Sequence, residues 1–240
     1  MKPAGTSRLG ILGRFLAPFG LIFIIMAVES SVMMALGRIA TQDPRPVWPA
    51  ALIGTGVGLV ICLAGMAALR VRGYVRFSWI IGQTSLAAWA ACLGLGLGML
   101  TTLLGAVIPG ELPDLVAGYS FLQIAALVVI GRSVYEELLF RGLLQGFLTP
   151  LLSRRWRFFG HDFSLAAVVG AVAFGLIHFS LLSLGGDFAP VSVIVAAGFL
   201  LGLLAGYYRD RTGSMIHPIV AHVCANLGGY FTGIMLGPLA

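Results

Sequence analysis

Seven apolar stretches, each near or above twenty residues, run through the chain at roughly 15–36, 48–69, 78–105, 116–149, 164–183, 189–208 and 213–236. About twenty apolar residues wound as a helix cross a hydrocarbon layer roughly 30 Å thick. Inside that layer each backbone N–H and C=O must find its partner within the protein, so runs of this kind take helical form. Composition points the same way. Of 240 residues, 59% are hydrophobic and 10% charged, whereas a soluble domain carries about 25% charged residues to wet its surface. The sequence therefore predicts an all-α polytopic transmembrane helical bundle of about seven spans, one integral-membrane domain over 1–240.

The basic residues test that count. With the N-terminus placed in the cytoplasm, eleven of the Lys and Arg residues outside the spans fall inside (among them Lys2, Arg70, Arg154 and Arg209) and two, Arg38 and Arg45, fall outside. An odd number of spans preserves this alternation and an even number destroys it. The first run follows Lys2, Arg8 and Arg14 as a signal peptide would, but its length and its internal Glu29 favour a retained helix. The third and fourth runs exceed a perpendicular crossing, which predicts tilt or extension beyond the bilayer. The net charge of +6 resides in short loops without aromatic interleaving, so no nucleic-acid partner is expected. The expected location is a bacterial or archaeal cytoplasmic (inner) membrane.

Many glycines stand four residues apart: Gly54 and Gly58, Gly94 and Gly98, Gly142 and Gly146, and Gly198, Gly202 and Gly206. In membrane helices this spacing lets backbones approach closely. The GLGLG at Gly94–Gly98 lacks the strand-then-helix setting of a nucleotide loop. Cys62, Cys92 and Cys224 all lie in apolar segments without metal-ligand spacing and are expected to act as small apolar residues.

Against this background the polar residues within the spans stand out: Glu29, Arg132, Glu136, Glu137, Arg141, His178, His222 and Asn226, with His217 near a helix start. Charges at bilayer depth cost several kcal/mol, so they face a cavity or one another. Glu137 and Arg141 are four apart, glutamate first, the favoured order for a helical ion pair; Arg132 and Glu136 have the weaker order. Such pairs also occur for purely structural reasons. Glu29 is expected to face the cavity or snorkel, and His217 to be interfacial. His222 and Asn226 share one face of the last span. At 1.5 Å per residue, Glu136, His178 and Asn226 lie about 20 Å from the cytoplasmic ends of their spans and His222 about 14 Å, which permits one shared layer.

A carboxylate there can act as general base toward water, with an imidazole orienting the same water. A second imidazole and a carboxamide can donate to an oxyanion developing on an attacked carbonyl. Other intramembrane hydrolase patterns are missing from the sequence: HExxH, GxSG and GxGD do not occur.

EELLFRG at Glu136–Gly142, FGLIH at Phe174–His178 and HVCAN at His222–Asn226 resemble the EExxxR, FxxxH and HxxxN motifs of the CPBP family, the CAAX proteases and bacteriocin-processing enzymes, also called Abi or type II CAAX prenyl endopeptidase-like. The resemblance is strongest over 116–236. It implies an intramembrane endopeptidase in which Glu136 is the general base working with His178, His222 and Asn226 hold the oxyanion, and Glu137 and Arg141 support them. It also implies a membrane-associated protein or peptide substrate within a lipid bilayer. The family has been described both as metalloproteases and as metal-independent glutamate proteases. The residues favour the second, with no cofactor; if zinc is used, Glu136, His178 and His222 are the candidate ligands. Two other functions compete: a proton-coupled transporter, since intramembrane carboxylates and histidines also mark ion paths, and a non-catalytic immunity or scaffold protein of the same fold.

Overall fold

A computed structural model of the chain describes residues 8–41, 48–73, 75–152, 154–158 and 160–237. Lys2 and Arg45 of the basic-residue count lie outside the described residues. Three long helices come first: α1 (Arg8–Thr41), α2 (Trp48–Val71) and α3 (Thr84–Val107). The fourth helical segment, α4, spans 121–148 without a break but changes its winding. α-Turns at Phe121–Gln123, Ser133–Glu137 and Gly146–Leu148 alternate with wider π-wound stretches at Ile124–Arg132 and Leu138–Gln145. A two-stranded hairpin follows, β1 (Arg155–Phe158) and β2 (His161–Ser164). Then come α5 (Leu165–Leu176), continued as a 3₁₀ helix over Ile177–Leu184, α6 (Phe188–Thr212) and α7 (Ile216–Leu236).

Local chemistry sets these boundaries. Ser120 and Gln123 form a capping box at the start of α4, with Ser120 N donating to Gln123 Oε1 at 2.8 Å and Gln123 N to Ser120 Oγ at 3.4 Å. The Ser164 hydroxyl accepts from Ala167 N at 3.0 Å and opens α5. Gly213, at φ 67°, ends α6 in the left-handed conformation that a Cβ would disfavour. The helix reaches Thr212 rather than 208. Arg209 and Arg211 therefore stand in its last turn, where positive charge suits the helix dipole, and not in the connecting loop.

Among the described residues six helices are long and apolar enough to cross a membrane: Leu12–Leu36, Trp48–Val71, Thr84–Val107, Leu165–Leu184, Phe188–Thr212 and Ile216–Leu236. The fourth expected span does not meet that description because it carries Arg132, Glu136, Glu137 and Arg141. It is the central segment of the bundle instead: from Leu138 to Gly146 every residue is buried, against α1, α2, α5 and α6. The outer helices turn large apolar side chains outward, including Phe23, Val60, Trp89 and Met235. Lipid is the solvent that tolerates such a surface.

The described connections sort to two ends. At one end, Ser78 N donates to Gly213 O and Met215 N to Ser78 O, both at 2.9 Å, joining the α2–α3 connection to the α6–α7 turn. Arg209 reaches the Arg76 carbonyl there. At the other end, Asp187 N donates to Glu111 O at 2.9 Å and Glu111 N to Asp187 Oδ2 at 2.8 Å, joining the α3–α4 and α5–α6 connections. The first end carries arginines; the second carries Glu111, Asp114 and Asp187.

The glycine spacing reports close packing. A Cβ on Gly94 would lie 2.1 Å from Ala221 O and one on Gly98 1.8 Å from Ala225 O, so α3 and α7 touch backbone to backbone. The hairpin was not expected. Its register pairs Trp156 with Phe163 and Arg157 with Asp162, an aromatic and an opposite-charge pair across the ladder.

Candidate active site

Glu136 and Glu137 occupy the short α-turn Ser133–Glu137, flanked by π-wound stretches on both sides. Such widenings recur at functional sites because they re-aim side chains within a packed helix. They also mean that the sequence-based depth of Glu136, which assumed 1.5 Å per residue throughout, does not describe α4.

The two carboxylates are held by different partners. Glu137, completely buried, accepts from Arg141 Nε at 3.2 Å through Oε2 and lies 2.9 Å from His222 Nδ1 through Oε1. Glu136 meets Arg132 NH2 at 3.1 Å through Oε1, and its Oε2 stands 3.8 Å from His222 Nε2. His222 on α7 therefore stands between the two glutamates of α4. Its Nδ1 can only donate to a carboxylate, which leaves Nε2 toward Glu136.

His178 sits at the second residue of the 3₁₀ continuation of α5. Its Nδ1 is 2.8 Å from the Phe174 carbonyl, an acceptor only, so the proton lies on Nδ1 and Nε2 keeps its lone pair. Phe174 acts as a spacer. Its ring lies edge-on to His178 at 5.2 Å and to His222 at 5.5 Å, with the Arg141 guanidinium 5.6 Å above it. Gly198 on α6 makes room for the imidazole: a Cβ there would come within 3.1 Å of His178 Nδ1.

Asn226 Nδ2 donates to Ser133 Oγ at 2.9 Å and reaches Val128 O at 3.5 Å, the limit of a hydrogen bond. Ser133 in turn donates to Val129 O at 2.6 Å. One amide hydrogen is thus firmly engaged by α4 and the other only loosely.

A cavity of about 340 Å³ opens between α3, α4, α5, α6 and α7, and His178, His222 and Asn226 form its polar wall. Glu136 is not among the lining residues and meets the wall through His222. A second cavity of about 320 Å³ shares Thr101, Thr102 and Ile194 with the first. Its other walls are the last turns of α3 and α7 and the first of α6, so the two form an apolar trough toward the end opposite the arginines.

All six residues expected from the motifs are thus close together: Glu136, Glu137 and Arg141 on α4, His178 on the α5 continuation, and His222 and Asn226 on α7. Glu136, His178 and His222, the candidate zinc ligands, do not form a metal-holding group; among the described residues no three His, Cys, Asp or Glu side chains do.

One other expectation is corrected. Glu29 neither lines the cavity nor snorkels. It is 3% exposed on α1 and lies 2.5 Å from Arg132 NH1. His217, the second residue of α7, stands at the helix start as expected and is fully buried there, stacked on Tyr208 with Nε2 3.3 Å from the Gln83 carbonyl. Sequence reasoning missed Ser133 and Gln145 altogether. Gln145 Nε2 donates to Gly206 O at 3.1 Å and to Asp210 Oδ1 at 2.8 Å, and Asp210 Oδ2 accepts from Ser164 N at 3.1 Å. Gln145 follows Arg141 by four residues, which was the one available signal.

Residues 118–228 match the model of the Rce1-like family, described as type II CAAX prenyl endopeptidase Rce1-like. The matched segment contains all three motifs and excludes α1, α2 and α3. No curated protein and no solved structure matches the chain.

Proposed function

We propose, from the premise that this chain belongs over residues 118–228 to the Rce1-like family of membrane proteases, that it cleaves a membrane-associated polypeptide by attack of water activated at Glu136. Glu136 takes a proton from water, and His178 Nε2 accepts the water's other hydrogen bond and orients it. The hydroxide attacks the scissile carbonyl carbon. His222, when it carries a proton on Nε2, and the loosely engaged amide hydrogen of Asn226 donate to the oxyanion. As the tetrahedral intermediate collapses, the proton on Glu136 passes to the leaving amine, giving a new carboxylate and a new amine. Glu137 and Arg141 touch no reacting atom; they hold His222 and the α4 turn in place.

The observation that carries this reading is His222 standing between Glu136 and Glu137 at the wall of a cavity it shares with His178 and Asn226. The apolar trough leading from that wall suits a substrate with apolar residues beside the cut. No step is routed through zinc, because the residues that would ligate it are not grouped to do so. The setting we infer is the cytoplasmic membrane of a bacterium or archaeon.

The test is a comparison of terminal peptides in the membrane proteomes of cells making the wild type or Glu136→Gln. A precursor that accumulates only in the variant supports the reading and maps the cut. Identical proteomes, with both proteins folded and equally abundant, would transfer the assignment to transport or a scaffold role.

A further inference from the structure

The base of the proposed reaction is not held by its own motif alone. Glu136 Oε1 meets Arg132 NH2 at 3.1 Å, and Arg132 NH1 meets Glu29 Oε1 at 2.5 Å. The guanidinium lies over the Tyr135 ring, its central carbon 5.1 Å from the centroid. Three supports on one planar group leave it little freedom, because the guanidinium fork is rigid: fixing NH1 fixes the direction of NH2. Glu29 comes from α1, outside the segment that carries the family's motifs, and is 3% exposed.

We propose that Glu29 is a positioning residue for the reaction, acting on Glu136 through Arg132. The inference rests on Glu136 being the base proposed above. A glutamate side chain has three free torsions, and anchoring one oxygen decides where the other points. With Oε1 held by Arg132, Oε2 is directed to the side of His222, 3.8 Å from Nε2. Without Glu29, Arg132 is free to swing: it is one-third exposed, and the carboxylate of Glu136 can then draw it into a two-pronged pair that occupies both oxygens. Glu29 thereby keeps Oε2 available for the proton of the attacking water. Its burial has the same meaning. A carboxylate buried on the first helix is expensive unless it is paired, and among the described residues its charge partner is the arginine that also grips the base.

A purely structural ion pair between α1 and α4 predicts something different. Removing it would lower the folded fraction and leave each folded molecule as active as before. The two accounts separate in the purified full-length protein in nanodiscs, assayed with a quenched fluorescent peptide spanning the junction mapped in wild-type membranes. Glu29→Leu is expected to lower kcat by about 10- to 100-fold per folded molecule with KM nearly unchanged, the loss that a misplaced catalytic group brings. Glu29→Gln keeps an oxygen acceptor at the same reach and recovers most of the rate. Glu29→Asp keeps the charge but falls short of Arg132, and remains slow. In an Arg132→Gln background, Glu29→Leu costs nothing further, because the path it acts through is already cut.

Wild-type kcat per folded Glu29→Leu molecule would overturn the proposal, as would a full additional loss in the Arg132→Gln background. If Glu29→Leu does not fold, the order of the other two decides, since an Asp variant faster than the Gln variant makes charge rather than position the cause. Glu136→Gln, run beside them, keeps the two proposals apart. An inactive Glu136→Gln with a fully active Glu29→Leu sinks only the role of Glu29, whereas an active Glu136→Gln sinks the reaction and this inference with it.

Discussion

Glu137 lies 2.9 Å from His222 Nδ1 through one oxygen and 3.2 Å from Arg141 Nε through the other, with all three side chains buried. The adjacent Glu136 has neither of these bonds and is 13% exposed. Two neighbouring glutamates in one motif thus have separable jobs. The buried one orients an imidazole and neutralises a guanidinium, and the other remains within reach of the cavity.

Their variants should therefore fail differently. Glu136→Gln is expected to fold and melt like the wild type while losing cleavage by about 100-fold or more, the share a positioned base contributes. Glu137→Leu leaves the Arg141 charge buried without its partner, which costs roughly 3–5 kcal/mol. Its expected signature is a lower melting temperature in detergent and poor accumulation in the membrane. Equal melting of the two variants would show that Glu137 is not the structural member of the pair.

The His178 ring has a packing constraint that can be tested without touching the ring. A Cβ on Gly198 would stand 3.1 Å from Nδ1 and 3.2 Å from Cε1, tight enough to push the imidazole but not to clash with backbone. Gly198→Ala should leave the melting temperature close to wild type and lower kcat by roughly tenfold, as small misplacements of catalytic groups do. Gly198→Leu should abolish cleavage. Full activity in both would mean that the ring's position is immaterial to the chemistry.

Gly96 and Gly98 stand two residues apart in α3 but meet different surroundings. Nothing lies within 4 Å of a Cβ on Gly96, whereas one on Gly98 would fall 1.8 Å from Ala225 O, the residue before Asn226. Gly98→Leu is expected to force α3 from α7 and remove folded protein from the membrane fraction, while Gly96→Leu accumulates normally. The pair of western blots decides it. Equal accumulation would deny that α3 and α7 are in backbone contact.

What the sequence disclosed and what it hid follow from range. The apolar helices of the bundle were legible because they depend on local hydropathy, and six of the seven expected runs are long, apolar helices in the structure. The pair Glu137–Arg141 was legible because it lies within one helical turn. The winding of α4 was not, since no residue type in Ile124–Arg132 or Leu138–Gln145 compels a π-turn. The partners of Glu29 and Asn226 were also hidden. Arg132 is 103 residues from Glu29 and Ser133 is 93 from Asn226, separations at which hydropathy carries no contact information. The hairpin was overlooked because four-residue strands between two spans leave little periodic signal.

Metal dependence can be decided on the purified protein. His178 and His222 each give Nδ1 to an oxygen, from the Phe174 carbonyl and from Glu137, and this outer support is also how zinc-binding histidines are held. A zinc site needs more: the free nitrogens and a carboxylate oxygen must converge within bonding distance of one point. His222 Nε2 and Glu136 Oε2 are 3.8 Å apart, and His178 does not complete a group with them. The expected result is cleavage that survives dialysis against 1,10-phenanthroline and EDTA, with zinc well below one equivalent per chain. Activity lost to the chelator and restored by zinc would mean that α5 and α7 close on Glu136 around the ion. In that event Glu136, His178 and His222 would act as ligands, and the assignment of Glu136 as a free base would be withdrawn.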